Sequence, residues 1–147
     1  MTNATDFGPL QLLIGIWQGQ SGTDLSPEPD GTEHNQYRER FEVQPVRPLS
    51  NAEEQHLMAV QYHQTVYRIR DNKQIHDQSG YWSWDKEMQT VVMHSFTLAR
   101  GMSVIAGGQV QIDEKFRHHF NVSASAEIGA QWPISQSPFL APESVTP

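Results

Sequence analysis

LMAVQYHQTVYRIRDNKQIHDQSGYWSWDKEMQTVVMHSFTL, running from Leu57 to Leu98, holds three alternating segments and three of the seven histidines of the chain. From Leu57 to Arg70 it is dense in Val, Tyr, Thr and Ile and contains no Gly or Pro, the composition of one long strand. Side chains alternate across a pleated strand, so Leu57, Ala59, Gln61, His63, Thr65, Tyr67 and Ile69 share one face. Met58, Val60, Tyr62, Gln64, Val66 and Arg68 share the other. Both faces mix apolar and polar groups, whereas a sheet with one dry and one wet face splits them cleanly. A polar-lined interior, or an outer face covered by a partner, follows.

Asp71-Asn72-Lys73-Gln74 is a polar break of the kind that makes a hairpin turn, and a second strand is expected over Ile75 to Trp84. A turn of two or four residues puts the His63 face beside His76, Gln78, Gly80, Trp82 and Trp84. A turn of three exchanges the faces, because one residue of slip turns every side chain over. Asp85-Lys86-Glu87 then leads into a third strand, Met88 to Leu98, whose three-residue loop pairs Trp84 with Met88 and Gln78 with His94. The register that gathers the large apolar groups places His63, His76 and His94 among Trp82, Trp84, Tyr67 and Phe96. Each histidine reads equally well as a ligand-binding residue or as a hydrogen-bonded structural or surface one.

The composition narrows the classes open to the chain. Its 147 residues, 37% of them hydrophobic, suit one domain spanning residues 1–147, with 1–7 and about 133–147 irregular. Zero cysteines exclude a disulfide framework, a thiolate metal site and a thiol nucleophile. A net charge of −7 and a pI near 5.4 argue against nucleic acid as a partner, since phosphate neutralisation needs clustered Lys and Arg. No apolar run reaches the length of a membrane span, and the start lacks the basic and apolar regions of a signal peptide. A soluble cytoplasmic protein is expected.

Outside the opening stretch, Leu10 to Ile14 reads as one helical turn that covers an opening, and Gly15 to Gly22 as a first strand whose glycines permit bending. Asp24 to Asn35, with Pro27, Pro29 and Asp30-Gly31, reads as a loop. Gln36 to Val46 is a second strand, with Tyr37, Glu39, Phe41 and Val43 on one face. Leu49 to Gln55 reads as a polar connection. Met102 to Val110 is a strand interrupted at Gly107-Gly108, and Arg100 beside it is a candidate for an anionic group. Phe116 to Glu127 alternates as a strand, and His118-His119 point to opposite faces. From Ile128 the periodicity is lost and no closing strand is visible. About seven strands with short turns make an all-β antiparallel meander that curls into a barrel or half barrel.

Gly15-x-Trp17-x-Gly19 at the head of such a meander resembles the calycin superfamily of lipocalins and fatty-acid-binding proteins. Leu12-Leu13-x-Gly15-x-Trp17-x-Gly19, Tyr62-x-Gln64 and His76-x-x-Ser79-Gly80-Tyr81 together resemble the nitrobindin-like family of haem-binding β-barrels, over roughly residues 8 to 110. The resemblance implies a calycin-like β-barrel with a short N-terminal helical turn, and it puts His76 at the cavity on the distal side of a haem. The family's proximal histidine lies in a C-terminal strand, and no residue here matches it.

The reading that follows is a small-molecule binding protein for a hydrophobic or amphipathic ligand, with His63, His76, Gln78, Trp82, His94 and Arg100 as ligand-binding residues and His76 as the cofactor-binding one. Its alternative is haem binding with the peroxynitrite isomerase-type activity the family implies. A general base at His63 or His76, and a site where three imidazoles converge on a metal, are the other classes weighed. The unclosed sheet edge predicts a homodimer.

Overall fold

The computed structural model describes residues 7–28, 31–46, 49–51, 55–85, 91–127 and 129–136. Among these residues a 3-10 helix, Gly8–Leu13, precedes nine strands. They are β1 (Gly15–Glu28), β2 (Gly31–Pro45), β3 (Leu49–Asn51), β4 (Gln55–Arg68), β5 (Gln74–Asp85), β6 (Val91–Leu98), β7 (Met102–Ile112), β8 (His118–Ser123) and β9 (Ile134–Gln136). The sheet is an antiparallel meander in the order β1-β2-β4-β5-β6-β7-β8, with β3 added to β4 and β9 to β7.

This sheet curls. Trp82 on β5 meets Phe120 on β8 with ring centroids 5.4 Å apart, although three strand spacings in a flat sheet would separate those backbones by roughly 14 Å. Side chains from β2 to β8 therefore share one interior: Val43, Val60, Tyr62, Trp84 and Val92 are buried, with Val110, Phe120 and Val122 packed against them. The helix closes one end. Leu10 is fully buried and the 3-10 helix packs on β5. Gly8 lies flat on the Trp84 indole with φ +55°, where a Cβ would sit 2.7 Å from the ring, so only glycine fits. The Trp17 indole N–H donates to the Leu13 carbonyl at 2.8 Å and ties the end of the helix to β1.

Several expectations from the sequence are corrected. The stretch read as a loop from Asp24 to Asn35 is a paired ribbon, with Asp24 opposite Asn35 and Glu28 opposite Gly31. Pro27 is tolerated because β1 is an edge strand among the described residues, so a missing N–H breaks no ladder. Leu49–Asn51 is a strand rather than a connection, and Gly107-Gly108 lies within a continuous β7. The strand expected from Phe116 shrinks to His118–Ser123, because Asp113 accepts from the backbone N–H groups of Lys115 and Arg117 and holds Phe116 in a turn at φ 60°. A late strand does exist: Ile134–Gln136 pairs with Met102–Val104, inside the region taken as irregular. Residues 86–90, where the Asp85-Lys86-Glu87 turn and the start of the third strand were expected, lie outside the described residues, as do 1–6 and 137–147.

Register settles which faces meet. In the β4–β5 pair Val60 faces Trp82, Tyr62 faces Gly80 and Gln64 faces Gln78, while His63 faces Ser79. The favoured pairing of the His63 face with Trp82 is overturned, and the alternative parity of a three-residue turn holds. A bulge between Val66 and Tyr67 accompanies the Ile69–Asp71 turn. In the β5–β6 pair Trp82 faces His94, and Gln78 faces Leu98 rather than His94. That slip of four residues keeps His94 on the expected face.

Candidate functional site

The concave side of β1, β2, β4, β5 and β6 encloses an open cavity of about 540 Å³, within the usual range for small-molecule sites. Alternation fills it from β2, β4 and β5, with Glu39 and Phe41, Tyr62 and Gln64, and Gln78 and Trp82, while β1 lines it with the consecutive Trp17, Gln18 and Gly19, and β6 adds His94. Phe41 and Tyr62 lie 4.9 Å apart, His94 is stacked on Trp82 at 4.0 Å with 7° between the planes, and Phe96 flanks the imidazole at 4.6 Å. These rings form a continuous aromatic wall across the sheet, the arrangement that apolar and planar ligands favour.

A chain of hydrogen bonds runs through this wall. Gln78 Nε2 donates to the Tyr62 hydroxyl at 2.5 Å, so the hydroxyl's own proton goes to His94 Nε2, 2.6 Å away. His94 is thereby fixed as the neutral tautomer with its proton on Nδ1. Gln78 Oε1 accepts from His76 Nε2 at 3.0 Å, which extends the chain to the next strand position. Burial sets the charge states: it pushes the Tyr62 hydroxyl up to about 12 against the opposing pull of Gln78, and it pushes His94 down to about 4. Both groups are neutral at pH 7.

Beside this chain, Gln64 faces Gln78 across the β4–β5 pair and its amide donates to the Glu39 carboxylate, and both line the cavity. Among the described residues that line the cavity, Glu39 is the only one with a carboxyl side chain.

The residues singled out from the sequence divide three ways. Gln78, Trp82 and His94 line the cavity together. His76 and Arg100 line a separate groove of about 610 Å³ with Ile75, Leu98 and Met102, and His76 reaches the cavity only through Gln78. His63 is on the convex face, where its Nε2 pairs with Asp77 Oδ1 at 3.1 Å and its side chain is 51% exposed. The three-histidine convergence is therefore not formed. Among the described residues no group of three or more His, Cys, Asp or Glu could hold a metal ion. His94 and His76 are the concave-face imidazoles of β4 to β6, and the Nε2 of each is already engaged.

A protein-family model, the THAP4-like, heme-binding beta-barrel domain, matches residues 6–135. The chain belongs to that family. No curated protein and no solved structure matches it. The nitrobindin-like resemblance and the β-barrel class are thus shown, and no helix of the described residues is long and apolar enough to cross a membrane. In this THAP4-like chain the resemblance motif Tyr62-x-Gln64 supplies two cavity residues that a search for histidines passed over. Trp17 of the Gly-x-Trp motif supplies a third, half exposed at the rim. Phe41 and Glu39 shared a strand face in the sequence, but nothing there said that this face was the concave one.

Proposed function

We propose that this THAP4-like domain binds a planar, partly apolar small molecule in the concave cavity, held chiefly by ring contact with Trp17, Phe41 and Trp82. The observation that carries the proposal is the wall itself: aromatic groups from five strands turned onto one cavity of about 540 Å³. The polar groups there are few and convergent, as in small-molecule sites generally. The Tyr62–Gln78–His94 chain preorganises the wall, so the rings lose little freedom when a ligand enters.

Haem is the first ligand to test, because the family is described as heme-binding. The cavity walls suit a flat macrocycle. The donor set suits its iron less well, since an axial imidazole needs a free, well-oriented nitrogen. The Nε2 of His94 already accepts from Tyr62, and His76 lies in the neighbouring groove. Peroxynitrite isomerisation stays a second reading that rests on the family alone.

Titration of the purified chain with ferric haem, followed at the Soret band, tests the proposal. Saturable one-to-one binding that weakens roughly tenfold in Trp82→Ala is expected, as loss of a stacking wall removes buried aromatic area. Absence of a saturable change, or equal binding by Trp82→Ala, would overturn it.

A further inference from the structure

Among the described residues, the cavity has a carboxylate with no counter-ion. Glu39 faces Val66 across the β2–β4 pair, on the same side as Phe41 and Tyr62. Among the described residues its carboxylate is met by the Gln64 amide and by no Lys, Arg or His within ion-pair distance. Arg68, the nearest cation on that strand face, holds Asp71 through two bonds of 3.0 and 2.6 Å. Arg38 and Arg40 alternate onto the other side of β2, where Arg38 covers the Tyr67 ring at 4.3 Å and Arg40 bonds Glu42 at 2.9 Å. The titratable neighbours in the cavity, Tyr62 and His94, bring no positive charge at neutral pH.

Glu39 is half-buried, and a carboxylate partly withdrawn from water gains from a cation that replaces the lost hydration. The aromatic rings that line the same cavity attract cations in their own right, because ring faces carry negative potential. We propose that the cavity also takes ligands that carry an organic ammonium nitrogen, received by the Glu39 carboxylate beside the rings of Trp17, Phe41 and Trp82 that line the same cavity. This rests on the reading of the cavity as a ligand site and adds the charge of what enters it. The ammonium head lies at the Glu39–Gln64 corner, and the apolar body runs along Trp82 and the stacked His94. Gln64 sets the carboxylate's orientation by its amide bond and is a positioning residue.

Phenethylamine, a cation at pH 7, and phenethyl alcohol, its uncharged analogue of nearly equal size, separate the two ideas. Isothermal titration of the full chain is expected to show the amine binding about tenfold more tightly than the alcohol. In Glu39→Gln, which keeps the shape and a partner for Gln64, the ratio is expected to fall toward one. The wild-type comparison needs no variant and so stands even if Glu39→Gln folds poorly. Equal affinity of amine and alcohol for the wild type would overturn the ammonium inference while leaving the aromatic cavity as a ligand site. A preference that survives in Glu39→Gln would overturn the role of Glu39. Binding of neither would overturn the inference too, and the haem titration then decides separately whether the cavity takes a ligand at all.

Discussion

The Tyr62 hydroxyl joins two strands chemically as well as sterically: it accepts from Gln78 and donates to His94, and it is buried with the ring at 2% exposure. Its partner's charge state has a measurable consequence. His94 titrates near 4 in the folded chain against about 6.5 when unfolded, so between those values the unfolded state binds more protons and stability falls as the pH drops. The contribution is fully present above pH 6.5 and lost on the way down to 4. Allowing for solvent at this half-buried site, the loss is about 2 kcal/mol. Urea unfolding at pH 7 and at pH 4.5 is expected to show a smaller midpoint shift in His94→Gln than in the wild type; an equal shift would remove His94 from the account. Histidines were conspicuous in the sequence and Tyr62 was not, for a physical reason. An imidazole advertises chemistry by type alone, whereas the role of Tyr62 depends on which face of β4 turns inward, and that depends on a bulge at Val66/Tyr67 that no local residue announces. His63 shows the same dependence in reverse: one step of parity moved it from the expected cavity to a surface pair with Asp77.

Hairpins and their faces were legible where alternation was long and uninterrupted. β4 and β5 match the expected strands within two residues at each end, and the inward set Glu39, Phe41 and Val43 on β2 was readable as one face. Elements whose existence depends on a neighbour were not legible. β3 and β9 are three-residue strands that exist because β4 and β7 offer a free edge, and the β1–β2 ribbon carries Pro27 only because β1 has no outer partner among the described residues. The N-terminal 3-10 helix was expected as a cover for an opening, and its Leu10 is fully buried against the core cluster. Leu10→Ala is expected to lower stability by about 2–4 kcal/mol, from lost burial and the cavity left behind. Chemical denaturation measures it; a loss below about 1 kcal/mol would mean that the helix is not a structural lid.

The whole sheet makes the site by curling. No single strand carries the cavity: its rings arrive from β1, β2, β4, β5 and β6, and the Trp82–Phe120 contact draws β8 around toward them. Among the described residues β1 pairs only with β2 and β8 only with β7, so the ladder does not close on itself. The cavity accordingly stays open to solvent on one side. On the function proposed above, such an architecture would hold a planar ligand by its faces and leave an edge free, with ring contact rather than a bond to a metal as the main source of affinity. The most direct measurement is a paired titration of the wild-type chain with ferric haem and with metal-free protoporphyrin, read by quenching of tryptophan fluorescence. If the walls hold the ring, both macrocycles bind one to one with dissociation constants within about tenfold of each other, a difference of about 1.4 kcal/mol. Tight binding of haem with no binding of the metal-free ring would mean that iron ligation holds the ligand, and would contradict the account.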